Sequence, residues 1–154
     1  MKLSEHIRPD LVWVLDTPGS RDALLRELSG RVSGAVTSID AEALYKSLLE
    51  REAKGPTATP EGVALPHAMM TGTEENFIAV ALVRGGCEFQ SPRVKKIDLV
   101  FMLVGPQDKA WQHIRVLARL ARICHDPTGL ERLRAADSGE DLFKRLLEED
   151  ARHV

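Results

Sequence analysis

Several features that would place a protein in a specialised class are scarce in this sequence. Its 154 residues contain only two cysteines, Cys87 and Cys124. They are far apart and lack the close spacing of a zinc site or a redox motif. The sequence therefore predicts two ordinary buried thiols rather than a disulfide, and it predicts no bound metal and no cofactor.

Charge and hydropathy argue against two further classes of protein. The chain has 21 Lys and Arg against 23 Asp and Glu, a net charge of −2, so no overall positive field attracts nucleic acid or anionic lipid. No stretch approaches the roughly 20 consecutive apolar residues of a membrane span, and charges interrupt residues 1–9 too often for a secretion signal. We expect a cytoplasmic protein that neither binds nucleic acid nor inserts into a membrane.

The length and the 44% apolar content suit one globular domain over residues 1–154. An apolar run at 11–15 predicts a strand that ends in turn residues at 16–19. Two helices follow, one capped by Ser20 and ending near Ser33 and Gly34, the other capped by Ser38 or Asp40 with Arg51 in its last turn. Residues 55–62 carry two prolines and no periodicity, which indicates a loop.

The second half of the chain predicts the core of the sheet. A brief apolar run at 63–65 ends at Pro66, and residues 77–83 and 97–104 are almost continuously apolar, a pattern typical of strands covered on both faces. A long helix is predicted from about 107 to 125, with Arg115, Arg119 and Arg122 on its polar side. A short turn or helix near 130–133 and a final helix from about Ser138 complete the chain. The order β-α-α-β-β-β-α-α predicts an α/β fold with a mixed sheet between helices.

Two histidines are placed where chemistry is plausible. His67 follows a strand end, and His113 lies in the opening turns of the long helix, on the same row as its apolar residues. We therefore expect His113 to point towards the sheet, close to His67. A neutral imidazole is a nucleophile at cytoplasmic pH, since its ordinary pKa is about 6.5. Spacing alone leaves open that both are merely structural histidines.

The sequence around His67 adds a more specific signal. Residues 62–68, Gly-Val-Ala-Leu-Pro-His-Ala, resemble the signature of the enzyme IIA domains of the mannitol/fructose class in the bacterial sugar phosphotransferase system. Residues 48–52, which end in Arg51 and Glu52, are similar to the close of that family's second helix. Residues 99–106, followed by His113, are similar to its buried strand and the helix that bears a second histidine. The resemblance extends from about Leu3 to the C-terminal helix.

This resemblance implies a phosphotransferase/anion transport protein-like fold and a phosphocarrier activity. His67 is then expected to accept the phosphoryl group, with His113 and Arg51 stabilising it. Arginine suits that role because its planar fork holds two phosphate oxygens at once. Thr57 and Thr59 are candidate donors from the loop. The implied partners are the histidine-containing phosphocarrier protein and an enzyme IIB or a regulatory target, and the oligomeric state stays open.

Three departures from the family pattern keep alternatives open. The loop before the signature carries Pro56, Pro60 and an acid, Glu61, which would repel a phosphoryl group unless it points outwards. Met69 and Met70 stand where the family often has a basic residue, and residues 88–94 replace its usual turn. A regulatory enzyme IIA of the nitrogen-related branch and a free-standing transport component both fit. So does a non-catalytic domain that binds partners through the altered loop. A metal site of His67, His113 and a cysteine is a weaker alternative.

Overall fold

The computed structural model describes residues 2–16, 19–89 and 96–153. The predicted turns at 16–19 and 88–94 therefore lie partly outside the described residues. The strands are β1 (Ile7–Leu15), β2 (Val63–Ala64), β3 (His67–Met69), β4 (Phe77–Cys87) and β5 (Ile97–Gly105). The helices are α1 (Arg21–Ala35), α2 (Ala41–Ala53), α3 (Ala110–Cys124), α4 (Pro127–Arg134) and α5 (Gly139–Arg152). Short 3-10 turns cover Leu3–Glu5 and Gln107–Lys109.

These strands form one sheet in the order β1-β4-β5-β2, with β3 also paired to β5. β1 runs parallel to β4, whereas β4 and β5 are antiparallel, and β2 and β3 are parallel to β5. The predicted mixed sheet is thus confirmed. One expectation was incomplete: the chain does not leave the sheet at Pro66, because β3 resumes the pairing with β5 directly after it. His67 is therefore the first residue of a strand rather than a loop residue.

Alternate residues of the central strands build two separate cores. On β5, Val100, Met102 and Val104 belong to one cluster, and Leu99, Phe101 and Leu103 belong to the other. Successive side chains of a strand point to opposite faces, so the two clusters lie on opposite sides of the sheet. α1 and α2 cover the first cluster, and α3, α4 and α5 cover the second. The helix-covered strands predicted from the continuous apolar runs are confirmed.

The helix caps agree with the sequence signals. The side chains of Ser20, Asp40 and Ser138 accept hydrogen bonds from the backbone amides of α1, α2 and α5. Each cap satisfies one amide that the helix leaves without a partner. The short helix predicted near 130–133 is α4, which begins at Pro127, a residue suited to the first helical position.

The expected polar side of α3 is only partly correct. Arg115 and Arg122 are exposed, but the Arg119 guanidinium is almost buried and pairs with Asp150 on α5 at 2.7 Å. It also donates to the backbone carbonyl oxygens of Asp150 and His153. The long arginine therefore fastens α3 to α5 rather than facing solvent.

Both cysteines are free and buried, as predicted. None of the helices in the described part of the chain is long and apolar enough to cross a membrane.

Candidate functional site

His67 lies at the edge of the sheet, between the two helical layers. In the register of β3 and β5 it stands opposite Leu103, whose side chain faces α3. Because β3 is an edge strand, α2 on the other layer can also reach this position. The ring is half-buried. The edge position therefore lets side chains from α2 and α3 meet around one imidazole.

Both nitrogens of the His67 ring have partners. Arg51 Nε donates to His67 Nε2 over 3.1 Å, and His67 Nδ1 lies 2.9 Å from the carbonyl oxygen of Leu65. A carbonyl accepts only, so this pattern assigns the ring hydrogen to Nδ1 and the lone pair to Nε2. Burial lowers the pKa of His67, the Leu65 carbonyl opposes that shift, and the charge of Arg51 adds to it. The ring is therefore a neutral nucleophile whose reactive lone pair is on Nε2.

Arg51 is fixed by the loop that follows α2. It lies in the last turn of the helix, and its Nη1 donates to the carbonyl oxygen of Gly55 over 2.9 Å. The guanidinium is thereby oriented on two sides, by the loop and by the His67 ring. A cation held beside a nucleophilic nitrogen is suited to binding an anion that this nitrogen attacks.

His113 lies next to His67, as the sequence predicts. It lies in the first turn of α3 and is only 1% exposed. Its ring centroid is 5.6 Å from that of His67, and the two rings are inclined at 61°. Nδ1 is 3.0 Å from Asn76 Oδ1, whereas the buried Nε2 makes no hydrogen bond to any of the described residues. Burial, followed by the neighbouring His67, lowers the pKa of His113 to about 4.

Sequence reasoning missed Asn76, the residue that orients His113. Asn76 is buried immediately before β4, and its Nδ2 donates to Gln112 Oε1 over 2.8 Å. It reaches His113 only because residue 105, at the end of β5, is a glycine. A Cβ at Gly105 would lie 1.7 Å from Asn76 Oδ1. The pattern carries no local signal for this pairing, since a polar residue before a strand is ordinary.

The loop between α2 and β2 carries the two threonines and the glutamate that the sequence singled out. Thr57 donates both its amide and its hydroxyl to the buried carboxylate of Glu52. The Thr59 hydroxyl is buried and lies beside the Glu61 carboxyl, whose pKa it helps to lower. The Oε1 atom of Glu61, which the sequence marked as a possible source of repulsion, lies 3.2 Å from Nδ1 of His125, the residue directly after α3. The carboxylate that acts electrostatically on His67 is instead Glu52, which sequence reasoning did not single out.

Exposed apolar side chains lie on the two elements that carry the histidines. The large apolar side chains that are exposed in the described part of the chain are Met69, Trp111 and Ile114, the last two at 59% and 64%. Met69 is on β3 with His67, and the other two are on α3 with His113. We call these three residues the apolar rim.

The geometry does not support a metal site of His67, His113 and a cysteine. The cluster of possible metal ligands found among the described residues is Asp126, Glu149 and His153, at the start of α4 and the end of α5. Both oxygens of Glu149 accept hydrogen bonds from Arg132, which makes this cluster an ion-pair network. Within the part of the chain that the structure describes, no cysteine joins His67 and His113 in a group of possible ligands.

Residues 5–149 match the family described as the phosphoenolpyruvate-dependent sugar phosphotransferase system, EIIA 2. The chain belongs to this family. As an EIIA type 2 protein it carries the signature on β2 and β3, and the described geometry places its histidine between Arg51 and His113. Membership supports a phosphocarrier or a regulatory role.

Relatives of this EIIA protein are named as nitrogen regulatory proteins or as sugar-specific IIA proteins. A nitrogen regulatory protein of Bradyrhizobium diazoefficiens is 29% identical over 146 residues, which is 95% of each chain. The structure of the nitrogen regulatory protein IIA-Ntr from Neisseria meningitidis is 27% identical, covers 94% of this chain and 98% of its own, and has a TM-score of 0.83. The IIA mannitol structure from Escherichia coli, at 19% identity, 93% and 96% coverage and a TM-score of 0.70, shows the same fold. The expected fold is confirmed.

Proposed function

We propose that this protein is a histidine phosphocarrier that receives a phosphoryl group on Nε2 of His67. The donor is the histidine-containing phosphocarrier protein, and the group is passed to an enzyme IIB partner or kept as a regulatory mark. The observation that carries the proposal is the 3.1 Å contact between Arg51 Nε and the lone pair of His67 Nε2. It combines a neutral nucleophile with a cation at the position where an anionic group would be attached.

The chemistry needs no separate base. His67 Nε2 attacks phosphorus, the bond from phosphorus to the donor's ring nitrogen breaks, and that nitrogen keeps the electron pair. The Nδ1 hydrogen stays in place, bonded to the Leu65 carbonyl. The Arg51 Nε–H, which donates to the ring lone pair before transfer, donates to a phosphoryl oxygen after it, and the hydrogen stays on Nε. The same cation therefore stabilises the phosphorylated product.

The loop completes the binding site in this proposal. Thr57 holds the loop to Glu52 and so positions Gly55, the backbone partner of Arg51. The Thr59 hydroxyl, which lies beside the Glu61 carboxyl, is the second donor that the loop offers in this proposal. These roles make the stiff loop part of the phosphoryl site rather than a partner-binding loop alone.

The apolar rim supports a protein partner for the site. Met69, Trp111 and Ile114 present apolar surface on the two elements that carry the histidines. Exposed apolar patches of this kind mark protein contact sites. We assign the rim to the docking of the phosphoryl donor, and we place the protein in the cytoplasm, where that donor acts.

A regulatory use of the phosphoryl group is favoured over sugar transport. The relatives at 29% and 27% identity are both named nitrogen regulatory proteins, whereas a relative from Haloferax volcanii at 25% identity, covering 90% of each chain, is named a fructose-specific EIIA component. The departures around Pro56 and Met69 also set this chain apart from the sugar-specific pattern.

The test is phosphoryl labelling by the phosphoenolpyruvate-driven cascade, with wild type compared to His67→Ala. Wild type should carry an acid-labile phosphohistidine, and His67→Ala should carry none. The matched control is His125→Ala, an exposed histidine at the end of α3, which should label like wild type. Labelling of His67→Ala rejects the assignment of the acceptor. No labelling of wild type favours the alternative, a partner-binding domain that keeps the fold without the activity.

A further inference from the structure

The amide of Asn76 fixes the position of the ring hydrogen on His113. Its Nδ2 is within bonding distance of Gln112 Oε1, at 2.8 Å, and of the Lys109 carbonyl oxygen, at 3.4 Å. Because a backbone carbonyl only accepts, the NH2 group faces these two oxygens and Oδ1 faces His113. His113 Nδ1 must then carry a hydrogen in order to donate to Oδ1 over 3.0 Å.

This assignment has a consequence for the other nitrogen of the ring. In a neutral His113 with its hydrogen on Nδ1, Nε2 is a lone pair that accepts but cannot donate. Nε2 is also buried and lacks a partner within the described residues. A bare lone pair repels a phosphoryl oxygen, whereas an Nε2–H would donate to it. Neutral His113 is therefore in the wrong state to stabilise a phosphoryl group on His67.

We propose that His113 binds one proton at Nε2 when His67 is phosphorylated, and that Asn76 is the positioning residue that restricts this proton to Nε2. The proposal rests on the proposed phosphorylation of His67. It adds a proton to the transfer: carriage of one phosphoryl group is coupled to the uptake of one proton by a second, buried ring.

The His113 ring contacts the His67 ring of β3 and the Asn76 amide. The charged groups next to these two contacts are Arg51, which donates to His67, and Lys109, which pairs with Glu75 and whose carbonyl oxygen faces the Asn76 amide. Glu52 acts electrostatically on His67, and His6 Nδ1 contacts the backbone carbonyl of Asn76. Before transfer, burial and the adjacent ring keep the pKa of His113 at about 4. At pH 7 only about one ring in a thousand is then protonated.

A phosphoryl dianion next to the ring reverses this balance. An imidazolium and a phosphate in a site shielded from water form a charge-assisted hydrogen bond, which is among the strong polar contacts of proteins. Half-protonation at pH 7 requires the proton affinity of His113 to rise about a thousandfold, or three pH units. The proton enters from water as the bond between phosphorus and His67 Nε2 forms. It returns to water when that bond breaks and the acceptor takes the phosphoryl group.

The first experiment reads the His113 ring by 15N NMR in protein labelled at histidine. Before phosphorylation we expect an Nδ1–H ring with unprotonated Nε2 at pH 7. After phosphorylation by the cascade we expect protonation of both nitrogens at pH 7 and a pKa at least three units higher. If His113 stays neutral in the phosphorylated protein, this inference is overturned but the proposed function stands. If the cascade does not phosphorylate wild type, the proposed function is overturned, and this inference falls with it.

Two variants test the part assigned to Asn76. Asn76→Asp places a carboxylate against His113 Nδ1 and should raise the pKa of the unphosphorylated ring, so that the shift on phosphorylation shrinks by at least one unit. Asn76→Ala removes the acceptor and should give His113 a mixture of both neutral tautomers, and it serves if the Asp variant does not fold. The control Gln112→Ala breaks the other bond of the same amide and should keep the Nδ1–H tautomer. An unchanged tautomer in Asn76→Ala overturns the positioning role.

Discussion

Gly105 and Asn76 are in such close contact that no side chain fits between them. A Cβ built on Gly105 would lie 1.7 Å from Asn76 Oδ1 and 2.5 Å from its Cγ. The end of β5 therefore has to be a glycine for Asn76 to hold its place next to His113. A backbone position in the central sheet thus controls the orientation of a histidine on α3.

Substitution of this glycine should lower stability. Gly105→Ala forces the buried Asn76 amide to move, and overpacking of this kind typically costs about 1–3 kcal/mol. The measurement is the free energy of unfolding in urea. The matched control is Gly30→Ala on α1, which is exposed and where an added Cβ meets nothing within 4 Å. Because alanine is the better helix former, the control should gain about 0.5–1 kcal/mol. Equal effects of the two substitutions would contradict the close contact at Gly105.

Stability should depend on pH through His113. The pKa of this ring is about 4 in the folded protein and about 6.5 when the chain is unfolded, so the unfolded state binds more protons between these values. The stability that the neutral His113 contributes is complete above pH 6.5 and is lost as the pH falls towards 4. At pH 5 the loss is on the order of 2 kcal/mol relative to pH 7.

The measurement compares the unfolding free energies of wild type and His113→Gln at pH 7 and pH 5. The variant should lose less stability on acidification, because its side chain does not titrate. His125→Gln is the control, since His125 is exposed directly after the same helix and its replacement should leave the wild-type dependence unchanged. A His113→Gln protein with the full wild-type pH dependence would show that this histidine is not held neutral.

Replacement of Arg51 should impair phosphoryl transfer more than it impairs folding. Arg51→Lys keeps the charge but removes the fork that bonds to His67 and to Gly55 at once. Loss of one such preorganised donor typically lowers a rate by about 100- to 1000-fold. The measurement is the initial rate of labelling by the cascade, together with the urea midpoint. Arg31→Lys, in an exposed ion pair with Glu27, is the matched control and should label at the wild-type rate. A wild-type rate for Arg51→Lys would remove Arg51 from the site.

Much of the architecture could be predicted because its signals are local. Ser20 and Ser138 mark helix starts, and the runs at 77–83 and 97–104 are strands covered on both sides. The position of His113 on the apolar row of α3 predicted that it faces the sheet, which the structure confirms. Failures occurred where a distant contact overrides the local pattern. Arg119 reads as a surface residue on its helix but is buried by its pairing with Asp150, 31 residues away.

By itself, the sequence determined the order of elements, the covered sheet and the presence of a histidine signature, since periodicity, caps and prolines act between near neighbours. Only the tertiary structure decided which nitrogens of the site are free. That depends on Arg51 reaching His67 across 16 residues and Asn76 reaching His113 across 37. Hydrogen bonds between distant residues leave no periodic trace in a chain, yet they set the protonation of both rings and therefore the chemistry that the site can perform.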